Sequence, residues 1–332
     1  MPISTADIIW RKSAHMSDTP ALNGGRMSPT AATHNLRNDV FPDVRQAERL
    51  AGSVRWRKLH LHFAPPDGSQ ALDVRVVPWR PTPAADTVAM YPGSHTDTES
   101  TFTAALPGRA YGVATLASGL SVGATALTVS LEPGSPTIFT AGDVVYLTTK
   151  DSPNDVAGEE WYTTLAAAAA PSGGTQALTL GAPASVSWPT GARIASVIAA
   201  GDVLPRLDAP PIVTSAGGTI DAGKLMLYPR GTVWDDWTLS FTSATSFAVS
   251  GALTGSLGSA TIGYHNAVHA ALGSSYFVLD AGFFGGSWAA GDTVVFRTIP
   301  ASVPLWLRRA VPAGAPSWAD NAWEMMVDLE TA

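Results

Sequence analysis

Alternating apolar and polar residues recur along the chain and predict short β-strands. Residues 72–77 show the pattern clearly, because Leu72, Val74 and Val76 would all face a core. Residues 55–63 predict a partner strand, and the Pro-Pro-Asp-Gly turn between the two segments favours a hairpin. We therefore expect antiparallel strands early in the chain.

Residues 35–52 predict a helix. Asp39 can accept hydrogen bonds at its start, Pro42 suits a first turn because its missing N–H has no helical partner there, and Gly52 can end it. Three apolar residues would share one face of this helix: Val44, Ala47 and Leu50. The segment 35–80 is thus predicted to be a helix followed by a β-hairpin.

A weak internal repeat predicts the architecture of the remainder. Residues 125–147 and 175–198 each carry an alternating strand, a turn, an aromatic residue, a glycine corner and a second strand. Residues 275–298 repeat the second half, with Trp288 before an Ala-Gly-Asp corner, and residues 225–263 supply four more short strands. Repeated hairpins of this kind favour an antiparallel β-sandwich or barrel.

The two ends of the chain are less regular. Residues 1–34 predict an extended arm, whose apolar patch at Ile8, Ile9 and Trp10 fits either packing on a neighbouring subunit or a disordered tail. The last stretch, residues 318–330, fits a short helix or a final strand. The expected fold class is mainly β, with antiparallel sandwich or barrel units, an N-terminal extended arm and one short helix.

These patterns divide the chain into four predicted segments. They are an extended arm (1–34), a helix-plus-hairpin docking segment (35–80), a β-rich domain with repeated hairpins (81–210) and a C-terminal β-domain with an aromatic hairpin (211–332). Only 14% of residues are charged, well below the usual share. That composition suggests that neighbouring subunits cover much of the surface, or that the monomer is poorly soluble.

Net charge and cysteine content restrict the chemistry. The formal charge of −7 gives no electrostatic case for nucleic-acid binding. Without cysteine there are no disulfides and no thiolate metal sites, which suits a reducing cytoplasm. The N-terminus lacks the apolar run of a secretory signal, and no stretch approaches the ~18 apolar residues that span a membrane. We therefore expect no membrane insertion.

One histidine pair lies on a predicted strand. His60 and His62 would point the same way, but zinc needs a third and usually a fourth ligand, and none is evident nearby. The favoured interpretation is a solvent-exposed or interface face, opposite the apolar residues that alternate with the pair. A second pair, His265 and His269, has helical spacing, but the surrounding glycines disfavour a helix.

Acidic residues suggest two further hypotheses. The run Trp234-Asp235-Asp236-Trp237 combines aromatic rings with two carboxylates, as a sugar-binding or sugar-cleaving site would. Adjacent strand residues project to opposite faces, so a turn with aromatic flanks is favoured, and Glu159-Glu160 meets the same objection. The aspartates of the glycine corners fit calcium or hydrogen bonds within their own turns, and the turn is favoured. These aspartates are Asp143, Asp202 and Asp292.

Cations cluster in the first quarter of the chain. They are Arg45, Arg49, Arg55, Arg57 and Lys58. Because Asp43 and Glu48 are interleaved with them, ion pairs within or between subunits are favoured over binding of nucleic acid. The chain has no nucleotide-binding loop, Gly-x-Ser-x-Gly elbow or His-Glu-x-x-His motif. We predict no catalytic, cofactor-binding or metal site, and hence not an enzyme.

Two separated stretches carry recognisable motifs. Residues 35–63 contain an Asn-Leu lead, a Phe-Pro-x-Val motif, a Glu-Arg pair and a Trp-Arg-Lys strand. Residues 275–315 contain the aromatic hairpin and a proline-bracketed exit through Trp306, Arg308 and Arg309. With weaker similarity in the first 28 residues, at Ile-Ile-Trp-Arg-Lys and Asn-Gly-Gly-Arg-Met-Ser, the chain resembles tail-tip or baseplate structural proteins of tailed bacteriophages, especially of Mu-like siphophages.

The resemblance implies a structural virion protein without cofactors, made in the bacterial cytoplasm and located in the phage tail. Copies would assemble in a ring at the baseplate or tail tip, link the tube or hub to fibres, and contact other tail proteins and a host surface glycan. Alternatives are a receptor- or carbohydrate-binding tail protein, a tail-associated depolymerase or lysin, and a capsid decoration protein. Candidate subunit-interface residues are Ile8, Ile9, Trp10, Phe41, Arg45, Arg49, Arg55, Trp56, Arg57, Trp288, Trp306, Arg308 and Arg309.

Overall fold

The computed structural model describes residues 3–152 and 155–331, and 48% of the chain is strand. The two α-helices of the described residues are short, α1 (Gln46–Ala51) and α2 (Glu99–Ala104). The strands are β1 (Ile8–His15), β2 (Gly24–Ala31), β3 (Ser53–Phe63), β4 (Ala71–Arg80), β5 (Thr87–Pro92), β6 (Val113–Leu116), β7 (Ala126–Ser130), β8 (Val144–Thr148), β9 (Glu160–Ala168), β10 (Thr175–Leu180), β11 (Arg193–Ser196), β12 (Ile198–Val203), β13 (Arg206–Leu207), β14 (Ile212–Thr214), β15 (Gly217–Ile220), β16 (Leu225–Met226), β17 (Asp235–Phe241), β18 (Ser246–Gly251), β19 (Gly255–Thr261), β20 (His265–His269), β21 (Ser274–Leu279), β22 (Phe284–Ser287), β23 (Thr293–Ile299), β24 (Ser302–Val311) and β25 (Glu324–Thr331).

The two ends of the chain build one β-sandwich, called here the terminal sandwich. Its larger sheet has the order β2-β1-β3-β24-β5, and its smaller sheet has the order β12-β4-β25. Every pairing in both sheets is antiparallel. The alternating pattern of β3 and β4 fills the space between the sheets, where Leu61, Phe63, Val74, Val76 and Leu305 are buried. The predicted hairpin of these two strands is wrong, because β3 and β4 belong to different sheets.

A closed barrel is inserted between β5 and β12. Its strand order is β10-β7-β6-β11-β8-β9, and both predicted repeats, 125–147 and 175–198, lie in it. The aromatic residue of each repeat, Phe139 or Trp188, is buried in the barrel core. The predicted hairpins are wrong, because the two strands of each repeat do not pair: β7 pairs with β6 and β10, and β8 pairs with β9 and β11. Each repeat instead contributes two barrel strands and one aromatic side chain to a shared interior.

A second insertion, called the aromatic unit, comprises residues 206–299. Its main sheet has the order β13-β23-β17-β18-β19, with β14 also on β23, and the smaller ladders β16-β21-β20 and β15-β22 accompany it. Phe241 and Trp288 stack in parallel with ring centroids 4.2 Å apart, and Trp237 and Phe277 meet edge to face. The predicted hairpin at 275–298 is wrong, because β21 pairs with β16 and β20 whereas β23 pairs with β17. Both strands nevertheless supply side chains to the aromatic core.

The predicted fold class, antiparallel sandwich and barrel units, is confirmed. The N-terminal segment differs, because residues 8–31 contribute β1 and β2 to the larger sheet and do not form an extended arm. The tail ends in β25, which resolves the choice between helix and strand. Pairings cross the predicted segment boundaries, since β24 of the predicted C-terminal domain joins β3 of the predicted docking segment.

The predicted helix at 35–52 is only six residues long. Asn35 and Asn38 have positive φ angles, a left-handed conformation that a right-handed helix does not tolerate. Asp39 does not cap it and instead pairs with Lys12 of β1. The helix begins after Arg45 and ends at Gly52, whose φ of 79° suits a helix-terminating glycine.

Candidate docking groove and buried polar face

A groove of about 1260 Å³ crosses the terminal sandwich. One wall is residues 32–44, the opposite wall is residues 315–325, and β1, β3 and the end of β24 contribute to its floor. Both walls are loop segments, so their positions depend on specific contacts with the strands below. We call this feature the docking groove.

Polar contacts hold the first wall against the sheet. Lys12 Nζ lies 2.6 Å from Asp39 Oδ1, and the other oxygen of this carboxylate accepts the Thr33 N–H at 2.7 Å. Arg309 donates to the Pro42 carbonyl at 2.7 Å and lies over the Phe41 ring at 4.8 Å. The wall is therefore preorganised, because side chains of β1 and β24 fix it from below.

The second wall is held by an amide–carboxylate contact. Asn321 Nδ2 donates to both oxygens of Asp86 at 2.8 and 2.9 Å, and Asn321 Oδ1 accepts the Ala84 N–H at 3.3 Å. Asp86 is buried, so this hydrogen bonding offsets the cost of removing its carboxylate from water. The loop before β5 thus positions the C-terminal wall.

Apolar and cationic groups in and beside the groove face solvent. Leu36 and Trp318 line it and are 56% and 54% exposed, and Leu50 of α1 is 68% exposed. Neither Arg45 nor Arg49, at the ends of α1, forms an ion pair with a described residue. Exposed apolar surface beside free cations is typical of a surface that another molecule covers.

Six of the predicted interface residues line this groove, and four others are buried within the chain and cannot contact another subunit. Those that line it are Ile8, Ile9, Trp10, Phe41, Arg49 and Arg309. Trp56, Arg57, Trp288 and Trp306 are buried within the chain, so their assignment to a subunit interface is corrected. They pack against neighbouring strands and units, for example Trp306 against Phe102 of α2 with centroids 5.4 Å apart.

The remaining predicted interface residues lie outside the groove lining. Arg55 is engaged within the chain, because its guanidinium pairs with Asp18 and Glu48. Arg45 is exposed, and Arg308 is half-buried. The prediction that interleaved acids pair with the basic cluster therefore holds for Arg55 through Glu48. Arg57 instead pairs with Asp18, and Asp43 pairs with Arg37, which lies outside the cluster.

The outer face of β3, called the polar face, carries Lys58, His60 and His62, and all three are fully buried. The expected solvent-exposed or interface face is therefore wrong, because other parts of the same chain cover these side chains. Lys58 Nζ pairs with the Asp97 carboxylate and donates to the Gly25 carbonyl at 2.8 Å. Burial lowers the pKa of Lys58 to about 8, although Asp97 acts in the opposite direction. This cation is held in a closed site between strands and the loop that leads to α2.

The two histidines of the polar face have different surroundings. His62 accepts from Arg11 Nε at 2.8 Å through Nδ1, so its Nε2–H donates to the Pro229 carbonyl of the aromatic unit at 2.8 Å. Burial lowers the pKa of His62 to about 4. Neither ring nitrogen of His60 makes a hydrogen bond of normal geometry, although the Gly25 backbone is near. Burial, and then the charge of Lys58, lowers the pKa of His60 well below its ordinary value.

The acidic candidates have structural partners. Asp235 is fully buried and accepts the N–H groups of Leu253 and Thr254, at 2.9 and 2.7 Å, whereas Asp236 pairs with Arg297 at 2.7 Å. The two carboxylates therefore occupy different environments, as strand alternation requires, and the interpretation as a turn is replaced by the start of β17. Glu159 and Glu160 also separate, because Glu160 accepts from Tyr146.

Two corner aspartates bond their own turns as predicted. Asp143 accepts the N–H of Thr140 at 2.8 Å, and Asp292 accepts that of Ala289 at 2.9 Å. Asp202 instead accepts the Asp73 N–H at 3.2 Å. Across residues 3–152 and 155–331, no three His, Asp or Glu side chains are grouped to hold a metal ion.

Sequence reasoning missed several residues that organise these sites. Asp86 and Asn321 fix the second groove wall, and Asp97 receives both Lys58 and the Trp306 indole N–H at 3.0 Å. Arg26 Nη1 reaches Asp235 of the aromatic unit at 3.1 Å. Each pair joins residues far apart in the chain, so no local motif marks them.

Comparison with known proteins gives no family for this chain. No protein-family model matches it, and no curated protein matches it. Within the described part of the chain, no helix combines the length and apolar character that crossing a bilayer requires. Interpretation of function therefore depends on the groove and on the motifs in the sequence.

Proposed function

We propose that this protein is a structural subunit of a bacteriophage tail that assembles as a ring of copies in the baseplate or tail tip. The observation that carries the proposal is the docking groove, which collects six of the residues expected at a subunit interface. Its occupant is a neighbouring copy of the chain. Other tail proteins and fibres attach to the ring through the inserted units.

Charge supports a second copy as the occupant. The chain has 27 acidic and 20 basic residues, so the average surface of a neighbouring copy is negative. Arg45 and Arg49 beside the groove are free to pair with carboxylates of that neighbour. Apolar contact through Leu36 and Trp318 contributes roughly 25 cal/mol for each Å² removed from water, and ring closure fixes the geometry.

The first test measures assembly of the purified chain. Native mass spectrometry and light scattering of the wild type should detect closed oligomers, and Arg49→Glu combined with Trp318→Ala should shift them to smaller species. Lys224→Glu, at an exposed cation of the aromatic unit, is the matched control and should leave assembly unchanged. A wild type that stays monomeric at high concentration contradicts the proposed ring.

The second test locates the protein in virus particles. Immunogold electron microscopy of intact virions should place label at the distal end of the tail. Label on heads alone would instead favour a capsid decoration protein. Particles without any label would remove the virion assignment altogether.

One observation favours carbohydrate binding as a second candidate function. Trp318 is exposed in the groove near Asn321, and an aromatic face beside polar side chains suits a sugar ring. A glycan array probed with the wild type and with Trp318→Ala tests it. Binding that Trp318→Ala removes supports this function, and no signal on host polysaccharide removes it.

A further inference from the structure

The outer edge of β19 is an unpaired strand edge in the aromatic unit. On its inner side β19 pairs with β18 from Gly251↔Gly255 to Ser246↔Thr261. On its outer side, no strand of residues 3–152 or 155–331 pairs with it, because β19 ends the strand order of its sheet. Five of its seven residues are exposed, and Leu257 and Ala260 are half-buried. Its outward backbone groups are available to another strand.

Edge strands of the terminal sandwich carry features that discourage such pairing. β2 contains Pro29 and Arg26, and β25 contains three acidic residues, whereas β5 is buried along most of its length. Proline, charge, β-bulges and coverage are the usual devices that protect an edge. The sequence of β19, Gly-Ser-Leu-Gly-Ser-Ala-Thr, has no charged residue and no proline. It has one of these devices, a bulge beside Gly258, where the φ of Gly258 is 93°.

Exposed apolar side chains flank both ends of this strand. Leu253, in the turn before β19, is 53% exposed, and Ile262 and Tyr264, in the turn after it, are 36% and 65% exposed. An antiparallel pairing of two copies centred on Gly258 brings Leu253 of one copy beside Ile262 and Tyr264 of the other. The two-fold axis repeats this contact at the opposite end. The edge is therefore complementary to itself.

We propose that β19 pairs with β19 of a second copy of this chain, so that two aromatic units share one continuous antiparallel sheet. An uncharged strand meets its own copy across a two-fold axis without like-charge repulsion. All strand pairs of this sheet are already antiparallel, so the added pair extends the same ladder. The surface is separate from the docking groove and goes beyond the proposed ring.

The test compares dimerisation of the full chain and of Ser259→Lys. Ser259 is exposed near the proposed two-fold axis, so the substitution sets two ammonium groups close together in the dimer. Analytical ultracentrifugation should show a rise of about tenfold or more in the dimer Kd. The matched control is Ala281→Lys, at an exposed position away from β19, and it should dimerise like the wild type. Unchanged near-UV circular dichroism shows that both variants are folded.

A second variant and a second readout keep the proposal testable. Leu253→Ser with Tyr264→Ser should also raise the dimer Kd, and hydrogen exchange at residues 255–261 should slow with rising concentration only where the dimer forms. Arg49→Glu alters the docking groove and should leave the β19 dimer unchanged. This variant therefore distinguishes a failure of the β19 pairing from a failure of the proposed ring. Dimers that survive Ser259→Lys, or a wild type in which exchange at β19 is independent of concentration, overturn the proposal.

Discussion

From residue 56 to residue 63, the two faces of β3 are equally inaccessible to water and chemically opposite. Leu59, Leu61 and Phe63 enter the core of the terminal sandwich, whereas Lys58, His60 and His62 lie on the polar face. Alternation of this kind usually marks a strand with one face in solvent. Here it marks a strand between two interiors, one apolar and one polar.

The apolar and polar interiors differ in how precisely their contacts fix the positions of neighbouring units. Apolar contacts are non-directional, so the sandwich core stabilises the fold without fixing how the inserted units sit. Contacts of the outer face are directional: Lys58 meets Asp97, His62 meets Pro229 of the aromatic unit, and Arg26 meets Asp235. We expect the polar contacts to orient the aromatic unit and the loop before α2, at some cost in stability.

Removal of the Asp97 carboxylate should have the largest effect. In Asp97→Ala, Lys58 loses the carboxylate that raises its pKa, so the ammonium must either stay buried without a counter-ion or release its proton. Both outcomes cost stability, and the Trp306 indole N–H loses its acceptor. The free energy of unfolding at pH 7 should fall by about 3–5 kcal/mol. Urea denaturation followed by tryptophan fluorescence measures it.

Matched variants show whether the uncompensated charge is the cause. Lys58→Met combined with Asp97→Asn removes both charges and should recover a substantial part of the loss. Because the pKa of Lys58 in the wild type is about 8, the wild type itself loses this ion pair when the pH is raised to 9, so the cost of Asp97→Ala should shrink there. A loss below about 1 kcal/mol at pH 7 would contradict the assigned role of this pair.

The apolar face should respond to loss of volume. Leu61 is fully buried, so Leu61→Ala leaves a cavity between the two sheets and should cost about 3 kcal/mol. The same denaturation assay measures it, with Leu22→Ala at a 60% exposed position as the control. Equal stability of Leu61→Ala and wild type would show that the sandwich core is loosely packed.

Acid should weaken the polar face. Below pH ~6.5, His60 binds a proton in the unfolded chain but stays neutral in the folded chain. The cause is the pKa of His60 in the folded chain, which is well below the ordinary value. The unfolded state then binds more protons, so the free energy of unfolding decreases as pH falls. Between pH 7 and 5 the wild type should lose ~2 kcal/mol more than His60→Leu.

Other titrating groups are common to both proteins. Lys58, Asp97, His62 and His95 surround His60 and are retained in the variant. Burial, with the charge of Asp86, raises the pKa of Glu132 to about 7, so protonation of Glu132 stabilises the folded chain as pH falls. Glu132 is present in wild type and variant alike, so this contribution cancels when their free energies of unfolding are subtracted. His34→Gln, at an exposed histidine, is the control. Parallel pH profiles for wild type and His60→Leu would contradict the prediction.

Local pattern predicted the β architecture and many of its strands. The alternation at 72–77 became β4, residues 55–63 became most of β3, and the strands of the two repeats became four strands of the barrel. The expected hairpin pairings were wrong, because the partners of these strands lie farther along the chain. Glycine at position 52 ended a helix as expected. These features depend on neighbours within a few residues, which is the range over which periodicity and turn chemistry act.

The arrangement of the units depended on contacts that no local pattern records. The ends of the chain share one sheet through β3 and β24, so the predicted arm and C-terminal domain are parts of one sandwich. The histidines of β3 were expected in solvent because their covering groups, at 93–97 and 229, lie far along the chain. At the groove, Trp10 and Phe41 were found through their motifs, whereas Asp86 and Asn321 had no signal.

The smallest effect should come from His60→Leu at pH 7.5. The imidazole is neutral and fully buried, and neither nitrogen makes a hydrogen bond of normal geometry, so the wild type bears a desolvation cost without the usual compensation. Leucine has a similar volume and no polar atoms, and the free energy of unfolding should stay within about 1 kcal/mol of wild type or rise. A loss of more than about 2 kcal/mol would mean that the ring is bonded to the nearby Gly25 backbone. The orientation of the aromatic unit would then depend on His60 as well as on Lys58 and His62, and the three side chains of the polar face would act as one hydrogen-bonded network.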